Sequence, residues 1–497
     1  MKSKYTKTIL PCIVMFVFIV AAACNNAGEA NEKTPQADDG KNSVADAAEI
    51  EEATEPLNPR LLVSDDLPEM DYGGYDFDIL YITHRYYTSG LYYAEDETSD
   101  VLNGAVYRRK RDVEEGFNVK INWVPEDGDI GRKVSSAVKS GDDIYDLVLT
   151  HCISSVADMA TSGLILDFNR ISGFNFEKPW WNQTMNETLS IGGVLLYAVS
   201  DFIVPEPNAI FFNKALQKEY GIEDLYGLVK SGKWTLDKFI EISKMTSKDL
   251  NGDGVFDEND QYGLIMELDW MLLSFMYASD QTVCAQLPGD PYPTVSMNNQ
   301  KMTDIVEKVY DLCYGGNQTF MFLMPPGDWP LDFDSGRSLF VVKPLSSAKQ
   351  MRAMDVDFGI VPFPKFDEGQ KDYVNNSWNG LMCIPNVASD PERTATIIEA
   401  LSAESYKRCI PAYTETLLKS KVARDDESLE MIDIIFNNCT YDVGMNFITD
   451  NAFLYSLYYL MKDKETNFAS YYEKNAPHVI ASYNKIFEAV IKNYKNQ

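Results

Sequence analysis

Histidine is scarce: three residues in 497. That leaves little room for imidazole acid–base relays or a multi-histidine metal centre. No Cys-x-x-Cys pair occurs, so a cysteine-built zinc site is excluded. Basic residues are also few, 44 against 75 acidic ones, for a net charge of −31. A broad basic face for nucleic-acid phosphates or an anionic membrane surface is thereby excluded. Neither GxSxG nor HExxH is present. Gly227 to Lys233 fits the start of a phosphate-binding loop, but Trp234 stands where Ser or Thr should hold magnesium. What the chain does have is 45% hydrophobic and 12% aromatic residues, enough to bury large cores. Its length calls for two or three domains.

Residues 1–24 read as an export signal. Lys2, Lys4 and Lys7 precede an apolar run from Ile9 to Val20, broken by Pro11, and then Ala21-Ala22-Ala23-Cys24. The run is short for a permanent membrane helix, and no later run reaches the roughly 20 residues one needs. A cysteine directly after small residues resembles the lipobox of bacterial lipoproteins, which implies lipidation at Cys24, although Ala21 stands where Leu is usual. The alternative is ordinary cleavage near Ala23. Residues 25–72 are expected to form a disordered acidic tether. From Asn25 to Arg60 there is no aromatic residue, so too little surface can be buried to fold. A flexible coil of that length spans on the order of 30 Å, which suits holding a body off a membrane. The six cysteines beyond Cys24 lie far apart, and buried free thiols are the favoured reading.

From Tyr75 onward, short apolar runs alternate with amphipathic stretches. Strands are expected at 75–82, 119–124, 146–150, 195–199, 209–212, 338–342, 358–361 and 382–385. Helices are expected at 98–115, 131–140, 156–162, 214–220, 235–247, 270–278 and 302–314. A helix-rich end follows, with 393–402, 404–410, 429–437 and 479–494. Strands alternating with helices imply α/β units and a mostly parallel sheet.

The sharpest local motif runs from Asp249 to Asp260 and matches D-x-N-x-D-G-x-x-D-x-x-D. Calcium takes roughly six to eight oxygen ligands. Asp249, Asn251 and Asp253 would supply positions 1, 3 and 5, and the Val255 carbonyl position 7. Asp257 and Asp260 would fill positions 9 and 12, with Gly254 allowing the turn. Asp260 is shorter than the usual Glu, and no exit helix follows, so the expectation is one structural calcium and not a paired sensor.

Three stretches carry a family likeness. Gly232-Lys233-Trp234-Thr235-Leu236-Asp237 leads through the acidic loop to Tyr262-Gly263; the second is Asp357 to Lys365; the third is Pro411 to Lys419. In order and spacing the chain after Tyr75 resembles the extracellular solute-binding proteins of ABC importers, the sugar-binding family 1 that includes maltose-binding protein. The resemblance implies an α/β fold, the two-lobed periplasmic-binding-protein fold of type II, with hinged lobes closing on a cleft. Lobe one would be 73–203 plus 360–388. Lobe two would be 204–359 plus 389–497, helix-rich and carrying the calcium loop. Crossings would fall near Ser200–Pro207, Phe358–Pro364 and Pro385–Pro391.

Sugars offer flat apolar faces and rings of hydroxyls, met by aromatic rings and by Asp, Asn, His and Arg. The loops just past strands supply the candidates: His84 and Arg85, Thr150 and His151, Asp201 and Phe202, Trp378 and Asn379. Trp270, Trp329 and Tyr413 are candidates from lobe two. Trp123, Trp180, Trp181 and Trp234 are expected to pack. His151 is balanced between a satisfied loop histidine and a ligand contact, and Trp270 between core and site. Trp378 leads, because it sits in a polar loop with Asn375, Asn376, Ser377 and Gly380.

The implied function is capture without chemistry. An exported, membrane-anchored, monomeric lipoprotein would bind a carbohydrate and deliver it to an ABC permease, with no nucleic-acid partner. Two alternatives stand: a secreted carbohydrate-active hydrolase, since many acidic residues leave a catalytic pair open, and a surface adhesin or sensory module.

Overall fold

A computed structural model describes residues 58–83, 92–323, 333–378, 380–418 and 426–495, the side chains of 352, 353, 417, 418 and 426 excepted. Cys24, His84, Arg85, Trp329 and Asn379 lie outside the described residues, as do the signal and the tether up to residue 57. No described helix is long and apolar enough to cross a membrane.

The strands in chain order are β1 (Tyr75–Ile82), β2 (Val119–Glu126), β3 (Leu147–His151), β4 (Asn208–Asn213), β5 (Tyr262–Glu267), β6 (Cys284–Ala285) and β7 (Thr294–Val295). They continue with β8 (Thr319–Phe322), β9 (Ser338–Pro344), β10 (Phe358–Val361), β11 (Asn375–Asn376), β12 (Gly380–Cys383) and β13 (Cys439–Thr440). Two sheets hold most of them. One has the order β12-β3-β1-β2, the other β10-β4-β9-β5-β8. In the first, β1 is parallel to β2 and β3, while β12 is antiparallel to β3. In the second, β5 is parallel to β8 and β9, while β4 is antiparallel to β9 and β10. Both sheets are therefore mixed. In the four-stranded sheet β12 runs against the other three strands, and in the five-stranded sheet β4 is the one that runs against the rest.

The strands are nearly continuous apolar runs because both faces of each sheet are covered. Phe77, Ile79, Leu147 and Val148 in one sheet, and Ile210, Leu264 and Phe340 in the other, are fully buried. Helices flank them with ordinary start signals. Asp100 accepts from the Asn103 backbone N–H at the head of the helix Val101–Phe117. Thr235 does the same for Lys238 at the head of Leu236–Met245.

Four expectations meet a different structure. Leu195–Val199 is not a strand: Ala198 makes one isolated bridge to Met382, and the Val199 carbonyl turns away to accept from Asn182. The span 360–388 is divided, since β10 belongs to the five-stranded sheet and the chain reaches the four-stranded one at Gly380. Between them Trp234 Nε1 donates to the Pro362 carbonyl at 2.8 Å and the Tyr373 hydroxyl to the Val229 carbonyl at 3.0 Å, so 362–373 stays with the elements that follow β4. Residues 58–72, expected in the tether, are held on the body. Asn58 Nδ2 donates to the Lys407 carbonyl at 3.2 Å, and Lys178 donates to the Ser64 carbonyl at 2.9 Å and pairs with Asp66. Finally, the helices expected at 393–402 and 404–410 are one path, Pro391–Glu404 passing through a π turn at Ser405–Cys409 into Ile410–Leu418. All six described cysteines are buried free thiols.

The four packing tryptophans behave differently from one another. Trp180 and Trp181 are buried and both donate from Nε1 to the Glu399 carboxylate, at 2.6 and 2.9 Å. Trp234 is fully buried. Trp123 is only half-buried.

Candidate functional site

The two sheets communicate through a pair of adjacent strand-like crossings. Pro207 bridges Ser377, Ser377 Oγ accepts from the Glu206 N–H at 3.2 Å, and the Trp378 N–H donates to the Glu206 carbonyl at 3.3 Å. One crossing feeds β4, the other feeds β12. The carboxyl ends of β3 and β5 approach the same place. Tyr455 feels both Cys152, just past β3, and Asp269, just past β5; burial above all pushes its hydroxyl up to about 12. Carboxyl ends of strands beside a topological crossing are where α/β folds place ligands.

Trp270 and Trp378 meet here. Their ring centroids are 5.4 Å apart and their planes stand at 78°, an edge-to-face pair. Both are half-buried. Trp270 follows β5 through Leu268 and Asp269 and starts the apolar helix Met271–Ala278. Trp378 is held by the crossing itself. Its indole Nε1 is buried without a hydrogen-bond partner.

Two carboxyls that the sequence reading missed frame this pair. Glu206 Oε1 accepts from the Ser346 N–H at 3.3 Å, while Oε2 is buried and partnerless. Burial pushes this carboxyl up to about 7. Glu267 Oε2, at the end of β5, is likewise buried and partnerless. Burial, and then the charge of Asp269, push the Glu267 carboxyl up to about 7 as well. A buried polar atom without a partner is costly, and two acceptors and one indole donor around this pair are in that state. Glu267 is the last residue of β5, a strand the sequence pattern does not announce, so its position carried no signal. Nothing in the composition around Glu206 signalled it either, because only its place on the crossing gives it meaning.

A second aromatic cluster sits where β1 and β2 run side by side. Trp123 stacks on Tyr93, centroids 5.3 Å apart at 26°, and meets Tyr81 at 5.6 Å and Phe202 at 6.3 Å. Trp123 Nε1 is buried without a partner. Phe202 itself has no exposed surface and carries the Arg109 guanidinium 4.7 Å above its ring, so in this structure it is core. His151 turns back on its own loop, where its Nδ1 accepts from the Ile153 N–H at 3.3 Å. Thr150 is buried and donates to the Ser154 carbonyl at 2.9 Å. Asp201 and Tyr413 come together elsewhere, lining a cavity that includes neither Trp270 nor Trp378.

The acidic loop adopts the turn its motif demands. Gly254 has φ +80°, and its N–H donates to Asp249 Oδ2 at 2.8 Å. Asp253 accepts from Val255 and Asn251 from Asp253, at 2.8 and 2.9 Å. Asp260 is fully buried, taking the Leu250 and Asp257 N–H groups at 2.9 and 3.0 Å, bonds that hold its carboxyl below the ordinary value. The donor set is all oxygen and fits calcium chemically. Among the described residues no three acidic, His or Cys side chains converge as a metal cluster.

No family model matches the chain, and neither does any curated protein. Solved structures do. A cyclo/maltodextrin-binding protein complexed with maltotetraose is 16% identical, over 85% of this chain and 99% of its own, with a TM-score of 0.51. The galacto-N-biose-/lacto-N-biose I-binding protein of an ABC transporter from Bifidobacterium longum is 12% identical over 86% and 98%, with a TM-score of 0.50. A family 1 extracellular solute-binding protein from Bifidobacterium longum subsp. infantis is 16% identical over 83% and 100%, with a TM-score of 0.50. Nearly the whole of each of those chains is spanned, and the chain described here therefore has the two-lobed α/β fold of the extracellular solute-binding proteins.

Proposed function

We propose that this chain is an exported solute-binding protein that captures a carbohydrate and hands it, unaltered, to the permease of an ABC importer. The observation that carries the reading is the Trp270–Trp378 pair at the crossing, flanked by the partnerless buried oxygens of Glu206 and Glu267. Rings that stack on sugar faces and carboxylates that accept from sugar hydroxyls are what a pyranose needs. The named ligands of the structural neighbours, maltotetraose and lacto-N-biose, are of this class.

The lobes follow the two sheets, and capture proceeds by closure of one on the other, a shift between open and closed populations. Lipidation at Cys24 and the acidic segment behind it hold the body near the outer face of the membrane. One calcium ion in the loop Asp249–Asp260 is structural; the all-oxygen donor set and the Gly254 turn support it. The chain works as a monomer and carries out no turnover.

Calorimetric titration with maltotetraose, lacto-N-biose and a wider oligosaccharide panel tests the reading. The expected result is saturable one-to-one binding of at least one member with no reducing sugar released. Release of product, or binding only to insoluble polymer, contradicts it.

A further inference from the structure

Glu267 closes β5 three residues before Trp270, the ring that meets Trp378. It is 3% exposed, and the Trp270 side chain is its hydrogen-bonding neighbour. Its Oε2 is buried with no donor. Glu206 is placed differently. Its charge acts on the hydroxyls of Tyr92 and Tyr413 and on the Cys439 thiol, so protein O–H and S–H groups stand around it.

The elements packed on β5 bring few charges to Glu267. Phe322 of β8 stands opposite it in register, and β8 has no ionisable side chain. On β9, Val341 pairs with Ile265, and Lys343 follows two residues later. The helix Met271–Ala278 carries one ionisable group, Tyr277, whose hydroxyl donates to Asp442 at 3.1 Å. The charges of Leu236–Met245 are paired with one another and with Glu223, Lys308 and Asp311. Asp269 is the charged group that acts on the Glu267 carboxyl, and it acts on the Tyr455 hydroxyl as well.

A carboxyl in this position keeps its proton until a donor arrives, because a buried charge without one is costly. Burial, and then Asp269, push it up to about 7. A sugar hydroxyl is a donor of the required kind, since an O–H aimed at Oε2 favours the charged form. Resting on the carbohydrate reading above, we propose that Glu267 receives a sugar hydroxyl as a carboxylate, so that capture releases a proton and the cleft loosens its hold in acid. The sugar keeps its own hydroxyl hydrogen, none of its bonds breaks, and the Glu267 proton leaves to water. The sign follows: the bound state carries fewer protons than the free one, so binding weakens as pH falls.

Calorimetric titration of the full chain with maltotetraose, lacto-N-biose and the wider oligosaccharide panel, in phosphate and in bis-Tris at about pH 6.2, counts the protons exchanged. The expected result is roughly one-half to one proton released per sugar, with affinity roughly tenfold weaker at about pH 5.5 than at about pH 7.5. Glu267→Gln removes both the release and the pH dependence. Asp269→Asn, which takes away the like charge, moves the pH dependence to lower pH. Binding with no proton exchange, with proton uptake, or with release undiminished in Glu267→Gln overturns the inference and leaves the carbohydrate reading standing. If Glu267→Gln lacks a cooperative melt, Asp269→Asn decides, and an unmoved pH profile overturns the inference. Absence of binding by every sugar in the panel overturns it together with the reading beneath it.

Discussion

Trp270 and Trp378 stand edge to face, their centroids 5.4 Å apart, although 108 residues of chain separate them. One follows a strand of the five-stranded sheet and caps the next helix; the other precedes a strand of the four-stranded sheet. The pair therefore ties together the two halves that must close on a ligand. Replacing Trp378 by Ala is expected to weaken carbohydrate binding by roughly tenfold or more, about 1.4 kcal/mol. A double-mutant cycle with Trp270→Ala should show a coupling of about 0.5–1.5 kcal/mol. Unchanged affinity in Trp378→Ala refutes its role.

Stability should depend on pH in a defined sense. Burial holds the Glu206 and Glu267 carboxyls up at about 7, whereas an unfolded Glu releases its proton near about 4.3. Between those values the folded chain binds more protons than the unfolded one. Stability is therefore greatest below the window, falls as pH rises through it, and levels off above about 7. The melting temperature at about pH 5.5 should exceed that at about pH 8, and Glu206→Gln should narrow the gap. A higher melting temperature on the alkaline side contradicts this.

Glu399 anchors a packed corner. Trp180 and Trp181 both donate to it, as does the Asn175 backbone N–H. Glu399→Ala strands three donors and opens a cavity, at a cost of about 3–5 kcal/mol. Glu399→Gln keeps one acceptor oxygen and should lose less. Chemical denaturation of both variants checks the order.

Metal-stripped protein should take up one calcium by calorimetry, with uptake abolished in Asp253→Ala. The Asp260 carboxylate, already fixed by two backbone N–H groups, would be the preformed part of such a site. No heat on titration removes calcium from the account.

Much of the fold was legible because buried strands declare themselves as apolar runs. The expectations at 75–82 and 358–361 coincide with β1 and β10. Missed were β5, β8 and the two-residue strands β6, β7, β11 and β13. β5 starts straight from the acidic loop and ends on a buried Glu267, so its apolar run is short and ambiguous. Leu195–Val199 has the composition of a strand, yet it lacks a neighbour to pair with beyond one bridge, and pairing is not written in local sequence. The same limit applies to the site. Trp378 was visible as a tryptophan among polar residues. Glu206 was not, because its importance comes from a contact with residue 378 that only the crossing creates.

Small-angle scattering with and without a saturating carbohydrate tests the central claim most directly. Capture by hinged lobes predicts a smaller radius of gyration in the bound state, with the sugar recovered intact. An unchanged radius at saturation, or a cleaved sugar, contradicts it.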